Sequence, residues 1–389
     1  QRRVHGSGHH HSAPVCSMSN HVISSSKLKL PAFRNVNPFT PIGAPTSLHF
    51  HGTNRDLVHL ISPTTLYTLG RTGLSRKSMA SFSSAAAIEP LEEIPKLQFK
   101  PDGYNYWAWK GHKIHYVVEG EGPPILLIHG FGASAYHWRY NIPELAKTHK
   151  VYAMDLIGFG WSEKAIIDYD AMTWKNQVVD FLKEIVNAPA ILVGNSANTS
   201  LGGFTALASA VESPEQVKGL VLLNSAGQFS DGKNPESSNE NLFLKPFKDF
   251  FQRIVLAFIF WQAKQPVRIK SVLQSVYINP SNVDDYLIKS ISEPAADPNA
   301  GEVYYRMMTT FMSNQTKYPL DAALSKLKCP LLLLWGELDP WVGPTKAQRI
   351  KDFYPNTTLV KLRAGHCPHD EIPEEFNKAL CDWLSSVDS

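Results

Sequence analysis

With 389 residues, 43% of them hydrophobic, the chain has apolar material for one large core or two small ones. Its net charge of +3 is unevenly held: residues 1–88 carry nine Lys/Arg against the single acid Asp56, a charge of +8, which leaves −5 for residues 89–389. A mildly acidic body argues against a nucleic-acid partner, which would need a basic face on the folded part.

Residues 1–88 are rich in Ser, Thr, His and Pro, poor in acids, and show no sustained helical or strand period. That composition cannot support a core, and it is typical of organelle transit peptides rather than of a secretory signal, which needs a longer apolar stretch. The run His9, His10 and His11 reads as a polar tract in this leader rather than as a metal site. Four cysteines, Cys16, Cys329, Cys367 and Cys381, have no disulfide-framework or zinc-ribbon spacing and suit a reducing compartment.

Tyr104 to Val118 predicts two antiparallel strands turning at Lys110-Gly111. Ile125 to Ile128 is a continuous apolar run fit for a central parallel strand, and it ends in His129-Gly130-Phe131-Gly132. A helix is expected from Tyr136 to Lys147, then a strand from Val151 to Leu156 that leads into the glycine-punctuated Asp155 to Ser162. Asp155 reads better as a group that ties down this loop than as a catalytic acid. Thr173 to Val186 has a helical stripe, and Ala190 to Val193 is a short buried strand. Phe204 to Val211 is helical and Val217 to Leu223 is the next strand.

The alternation breaks at Gly227. From Phe229 to about Lys317 no strand-like run recurs, and Leu242 to Trp261 and Val303 to Met312 read as helices rich in Phe, Met, Trp and Tyr. An all-helical insertion between two strands would sit over the strand ends as a lid. Its longest apolar run, Ile254 to Trp261, is far short of the roughly 20 residues that span a bilayer. The sheet resumes at Pro330 to Trp335, followed by a helix from Thr345, a strand from Thr358 to Leu362 and a closing amphipathic helix from Phe376 to Leu384. The fold class is therefore α/β, a mostly parallel central sheet with helices on both faces and a helical insertion.

Residues 189–207 organise the chemistry. A buried strand that stops at small residues, presents a serine and re-enters a helix through Gly202-Gly203 has the layout of a nucleophile elbow, Gly-x-Ser-x-Gly. The pattern is split: Ser196 has Gly194 two residues before it, whereas Ser200 has Gly202 two residues after it. A serine nucleophile needs an imidazole to take its proton and a carboxylate to orient that imidazole. Asp339 and His366 each follow a buried strand and so fall on the same sheet edge as the elbow. Glu337 is the weaker alternative to Asp339. His369 reads as a supporting or surface group, and a metal cluster of His366, Cys367, His369 and Asp370 would be too compact. The amide of Phe131 is one oxyanion donor; the other is Leu201 if Ser200 attacks, or Ala197 if Ser196 does.

The motifs HGFG, DLIGFGWS, GNS with SLGG, GELDP and AGHCPHDE, in this order from about Tyr104 to Leu384, resemble the α/β-hydrolase fold family, most closely its plastid-targeted plant members related to pheophytinase. The resemblance implies chloroplast localisation, no metal or organic cofactor, and cleavage of a carboxylic ester with a lipophilic part, such as a phytol ester. Relatives read GNSLGG without a break, so four residues here are extra. Ser200 keeps the helix-side amide and is slightly favoured over Ser196. Dehalogenases and soluble epoxide hydrolases carry aspartate at the nucleophile position, which this elbow lacks. Two other readings stand beside the ester hydrolase: a C–C bond hydrolase of ring-cleavage products, and a catalytically impaired protein of this fold that binds an apolar ligand. The expected organisation is a leader over 1–88, a core of 89–228 and 318–389, and a lid over 229–317. Its partner is a small lipophilic substrate, with peripheral membrane contact and no nucleic acid.

Overall fold

Among the described residues eight strands form one sheet. The computed structural model describes residues 94–195, 201–225, 227–230, 245–311 and 319–387, all within a unit that spans Val58–Ser389. The leader expected over 1–88 lies outside these residues.

Strands β1 (Asn105–Trp109) and β2 (His112–Glu119) make the expected hairpin. Lys110 and Gly111 close it at φ 50° and 83°, the two left-handed residues that a tight turn between twisted strands requires. Strand β2 runs antiparallel to β4 (Lys150–Met154), and from there the sheet is parallel through β3 (Pro124–Ile128), β5 (Ala190–Asn195), β6 (Val217–Leu223), β7 (Leu331–Gly336) and β8 (Thr357–Leu362). The carboxyl ends of β3 to β8 therefore share one edge.

Helices follow in order: α1 (Ile142–Leu145), α2 (Ala171–Phe181), α3 (Leu201–Glu212), α4 (Lys245–Ala263), α5 (Pro266–Val276), α6 (Asp285–Ser292), α7 (Ala300–Arg306), α8 (Leu320–Leu324), α9 (Pro344–Phe353), α10 (Pro368–Glu371) and α11 (Pro373–Val387). Alternate residues of the central strands feed two cores, because successive side chains of a strand point to opposite faces. Leu126, Leu192, Leu222 and Leu333 meet α2, α3, α8 and α9 on one face. Leu127, Val193, Val221 and Leu332 meet α1 and α11 on the other. Burial on both faces is why these strands read as continuous apolar runs.

Three local expectations change. In place of one helix from Tyr136 to Lys147 there is a 3-10 turn, Ala135–Trp138, and then the single turn α1. Pro143 lacks an N–H and disfavours helical geometry in the residue before it, so it can only open a helix. The helix expected to Val186 ends as α-helix at Phe181 and continues as a π-turn, Leu182–Val186, closed by left-handed Asn187. Between β6 and β7 the described residues hold α4, α5, α6, α7 and α8 with no strand among them, so α5, α6 and α8 join the two helices read from sequence.

Candidate functional site

The parallel strands bring the predicted acid and base together. Asp339 lies three residues past β7 and His366 four past β8; both are buried, and His366 Nδ1 is 2.7 Å from Asp339 Oδ2. With the carboxylate accepting, the imidazole proton is on Nδ1, which leaves Nε2 free to act as a base. Asp339 is held from two further sides, its Oδ1 accepting from the Trp341 amide at 2.7 Å and its Oδ2 from Asn224 Nδ2 at 2.8 Å. Asn224 also donates to the Gly336 carbonyl and accepts from the Gly336 amide. It sits just past β6 at φ 39°, so its side chain staples the end of β7 and the acid in one geometry. Glu337, the alternative acid, is exposed.

The residues on both sides of the expected elbow are described. Strand β5 carries Gly194-Asn195 at its end, and α3 starts at Leu201 with Gly202-Gly203 in its first turn. A Cβ on Gly202 would collide with the carbonyls of Asn195 and His129, and one on Gly203 with the Ser225 side chain. These contacts fix the start of α3 against the ends of β3, β5 and β6. Ser196, Ala197 and Ser200 lie outside the described residues. The described part of α3 begins with Leu201, whose amide follows Ser200.

The loops after β3 and β4 close the other side. His129 donates from Nδ1 to the Gly130 carbonyl at 2.7 Å and accepts on Nε2 from the Leu156 amide at 3.0 Å. Burial holds its pKa below the ordinary histidine range, so it is a neutral clamp between two loops. Asp155, as expected, ties down backbone: its carboxylate accepts from the Ala135 and Trp161 amides, each at 2.6 Å, and from His115. Burial works against its charge, but His115 and the Ala135 amide oppose burial, and the pKa lies below the usual carboxylate range. Phe131, the expected oxyanion donor, packs edge-on against Phe159 at 5.3 Å between ring centroids. Both line a cavity of about 150 Å³ whose far wall includes Phe260, Val303 and Met307 of the helical insertion.

The loop carrying His366 is clamped to that insertion. The His366 amide donates to the Val276 carbonyl at 2.9 Å. Glu371 accepts from the Gly365 amide on one oxygen, at 2.8 Å, and from the Ile278 and Asn279 amides on the other. Beside it, Tyr277 donates its hydroxyl to Asp370, which also pairs with the buried Arg139. His369, expected as a supporting or surface group, is not at the surface: it is fully buried, with rings of His137 and Trp138 at 4.5 and 4.3 Å between centroids. The short helix α10, absent from the sequence reading, turns the side chain inward. Cys367 bonds to Asn195, and burial, with Asp370 and Asp339 nearby, holds its thiol far above its ordinary range, which removes it as a nucleophile. Asn224, Arg139, Tyr277 and Glu371 were not singled out from sequence, and Asp370 was weighed only as a metal ligand; a lone Asn after a strand and a Glu in a polar run carry no pattern of their own.

Comparison with known proteins agrees with this layout. A family model described as alpha/beta hydrolase fold matches residues 123–373, more than half of the chain. Chloroplastic pheophytinase of Arabidopsis thaliana is 26% identical over 333 residues, 74% of this chain and 67% of that protein. The 2-hydroxy-6-oxo-6-(2'-aminophenyl)hexa-2,4-dienoic acid hydrolase of Metapseudomonas resinovorans is 28% identical over 280 residues, 71% and 88% of the two chains. Among solved structures, a serine hydrolase involved in carbazole degradation, the CarC enzyme, superposes with a TM-score of 0.59 at 25% identity, covering 72% of this chain and 98% of that one. The sheet order, the shared strand edge and the span of the family match carry one conclusion: the chain belongs to the alpha/beta hydrolase fold family.

Proposed function

We propose that this chain is a serine hydrolase that cleaves a carboxylic ester with a lipophilic part, with Ser200 as nucleophile, His366 as base and Asp339 as the group that orients it. The observation that carries the reading is the buried His366–Asp339 pair at 2.7 Å on the sheet edge where the elbow strand ends. Ser200 is preferred to Ser196 because the Gly202 and Gly203 contacts fix the helix side of the elbow, and Ser200 adjoins that side in sequence. In the reaction the hydroxyl proton passes to His366 Nε2, the oxygen adds to the ester carbonyl, and the oxyanion is met by the amides of Phe131 and Leu201. His366 then returns the proton to the leaving alcohol, and water repeats the sequence to release the acid. The cavity between Phe131 and the insertion suits an apolar substrate portion, and the insertion acts as a lid over it. A phytol-type ester is the specific substrate class that similarity to pheophytinase suggests.

The test is labelling of the chain by a fluorophosphonate probe, with turnover of nitrophenyl esters of graded acyl length. Ser200→Ala abolishes both and Ser196→Ala retains both. Loss in Ser196→Ala alone transfers the role to Ser196, and a folded wild type that does neither overturns the reading. Similarity to the Metapseudomonas hydrolase and to CarC supports a second reading, hydrolysis of a C–C bond in a ring-cleavage product. Turnover of a 2-hydroxy-6-oxo-dienoate with ester turnover absent would favour it. Delivery to a plastid rests on the basic, acid-poor composition of residues 1–88; a fluorescent fusion of that segment remaining outside plastids would refute it.

A further inference from the structure

Helix α4 has two apolar faces. Phe260 and Ala263 look into the cavity, and the helix packs against α5 and α7 of the insertion. On the other side Phe250, Phe251, Ile254, Val255, Phe258 and Trp261 are each between 50% and 64% exposed. At the helical spacing of 100° per residue these six fall within an arc of about 140°, a continuous apolar face. The remaining exposed large hydrophobics are scattered singly, as on any soluble surface, apart from Val267 on α5, which is 78% exposed.

The same segment is the basic part of an acidic body. Residues 245–270 hold Lys245, Lys248, Arg253, Lys264, Arg268 and Lys270 against Asp249 alone, +5 within a region, 89–389, that totals −5. Arg268 and Lys270 are exposed on α5, beside the end of α4. Aromatic side chains on the exposed face of a helix, in a segment of net positive charge, match the apolar interior and anionic headgroups of a lipid leaflet. No helix among the described residues is long and apolar enough to cross a membrane, so such a helix would lie in the interface. We propose that α4, with the start of α5, docks on an anionic lipid surface through this face, and so sets the wall of the cavity against the bilayer. Binding, not turnover, is the quantity at issue, so the proposal stands apart from the assignment of the nucleophile.

Co-sedimentation of the full chain tests it, using vesicles of phosphatidylcholine alone and of equal parts phosphatidylcholine and phosphatidylglycerol. The wild type sediments with the anionic vesicles. Phe251→Glu with Phe258→Glu binds at least tenfold more weakly, since each removes a ring from the lipid, while its melting temperature is unchanged because both rings are exposed. Arg268→Gln with Lys270→Gln weakens anionic binding by about fivefold per charge and leaves the weak binding to phosphatidylcholine alone. Failure of the folded wild type to sediment overturns the proposal. So does binding that persists in the Phe variant, which would belong to the basic residues 1–88. A dimer in sedimentation velocity that the Phe variant dissociates, with no vesicle binding, assigns the face to a second copy of the chain instead.

Discussion

Asn224 does more for the site than its position past the end of β6 suggests. Its amide bonds Asp339 Oδ2 and both polar groups of Gly336, so it sets where the carboxylate stands relative to His366. The left-handed φ of 39° separates two roles that a substitution would otherwise mix. Asn224→Gly keeps that backbone at no steric cost but deletes the amide, whereas Asn224→Ala also strains the turn. A displacement of about 1 Å at a reacting group can cost roughly 100-fold in rate. Asn224→Gly therefore lowers kcat for ester turnover by 10- to 100-fold with KM little changed, and Asn224→Ala adds a loss of thermal stability. Wild-type kcat in the glycine variant would show that Trp341 and the turn alone hold Asp339. By contrast, the thiol of Cys367, adjacent to His366 in sequence, is buried and held protonated, so Cys367→Ser leaves fluorophosphonate labelling intact.

At the scale of elements, the insertion and the His366 loop form a joint. Glu371 collects three amides from two segments, Gly365 on one side and Ile278 and Asn279 on the other. Burial pushes its pKa up, and those amides oppose the shift. Glu371→Ala leaves the buried Gly365 amide without an acceptor, which costs about 1–3 kcal/mol, and frees the loop. Chemical denaturation would record the first effect and a drop in kcat the second; Glu371→Gln keeps one acceptor oxygen and recovers part of both. A stable, fully active alanine variant would mean that Val276, through its carbonyl, holds His366 by itself. The joint was invisible in the sequence because it is made of backbone amides meeting one ordinary glutamate across 93 positions. The strands, in contrast, were legible: double-sided burial leaves unbroken apolar runs, and the ends of β6 match the expected Val217 and Leu223. Helix ends were less so, since Pro143 and the π-turn after Phe181 act through backbone geometry that hydrophobic spacing does not encode.

The whole molecule carries histidines that its fold keeps uncharged. His129, His137 and His369 are buried, and burial moves each pKa down, to about 3 for His137, where Arg139 adds to the effect. Asp339, His366 and the halves of the elbow could be picked from sequence because motif order ties them to strand ends. These other histidines could not be sorted into surface and core: His369 was left between a supporting and a surface group, and its burial removes the second. Their energetic consequence has a definite sign. In the unfolded chain each histidine takes a proton below its ordinary pKa of about 6.5, while the folded chain stays neutral, so the unfolded state binds more protons and stability falls with pH. The loss begins as pH drops through about 6.5 and continues toward the folded pKa. For His137, with its folded pKa of about 3, the cost is about 2 kcal/mol between pH 7 and 5, and His129 and His369 act in the same direction. His369 is the cleanest to remove: neither ring nitrogen has a hydrogen-bond partner among the described residues, and the ring lies among Trp138, His137 and Phe376. His369→Phe is therefore near neutral at pH 7, where an apolar ring of similar size replaces an uncharged one, and is more stable than wild type at pH 5, where only the unfolded wild type takes the proton. Urea unfolding at the two pH values measures the difference. Equal losses for both proteins would mean that His369 takes its proton in the folded state, and that the polar groups around it, Asp370 and Tyr277 foremost, rearrange to accept the charge.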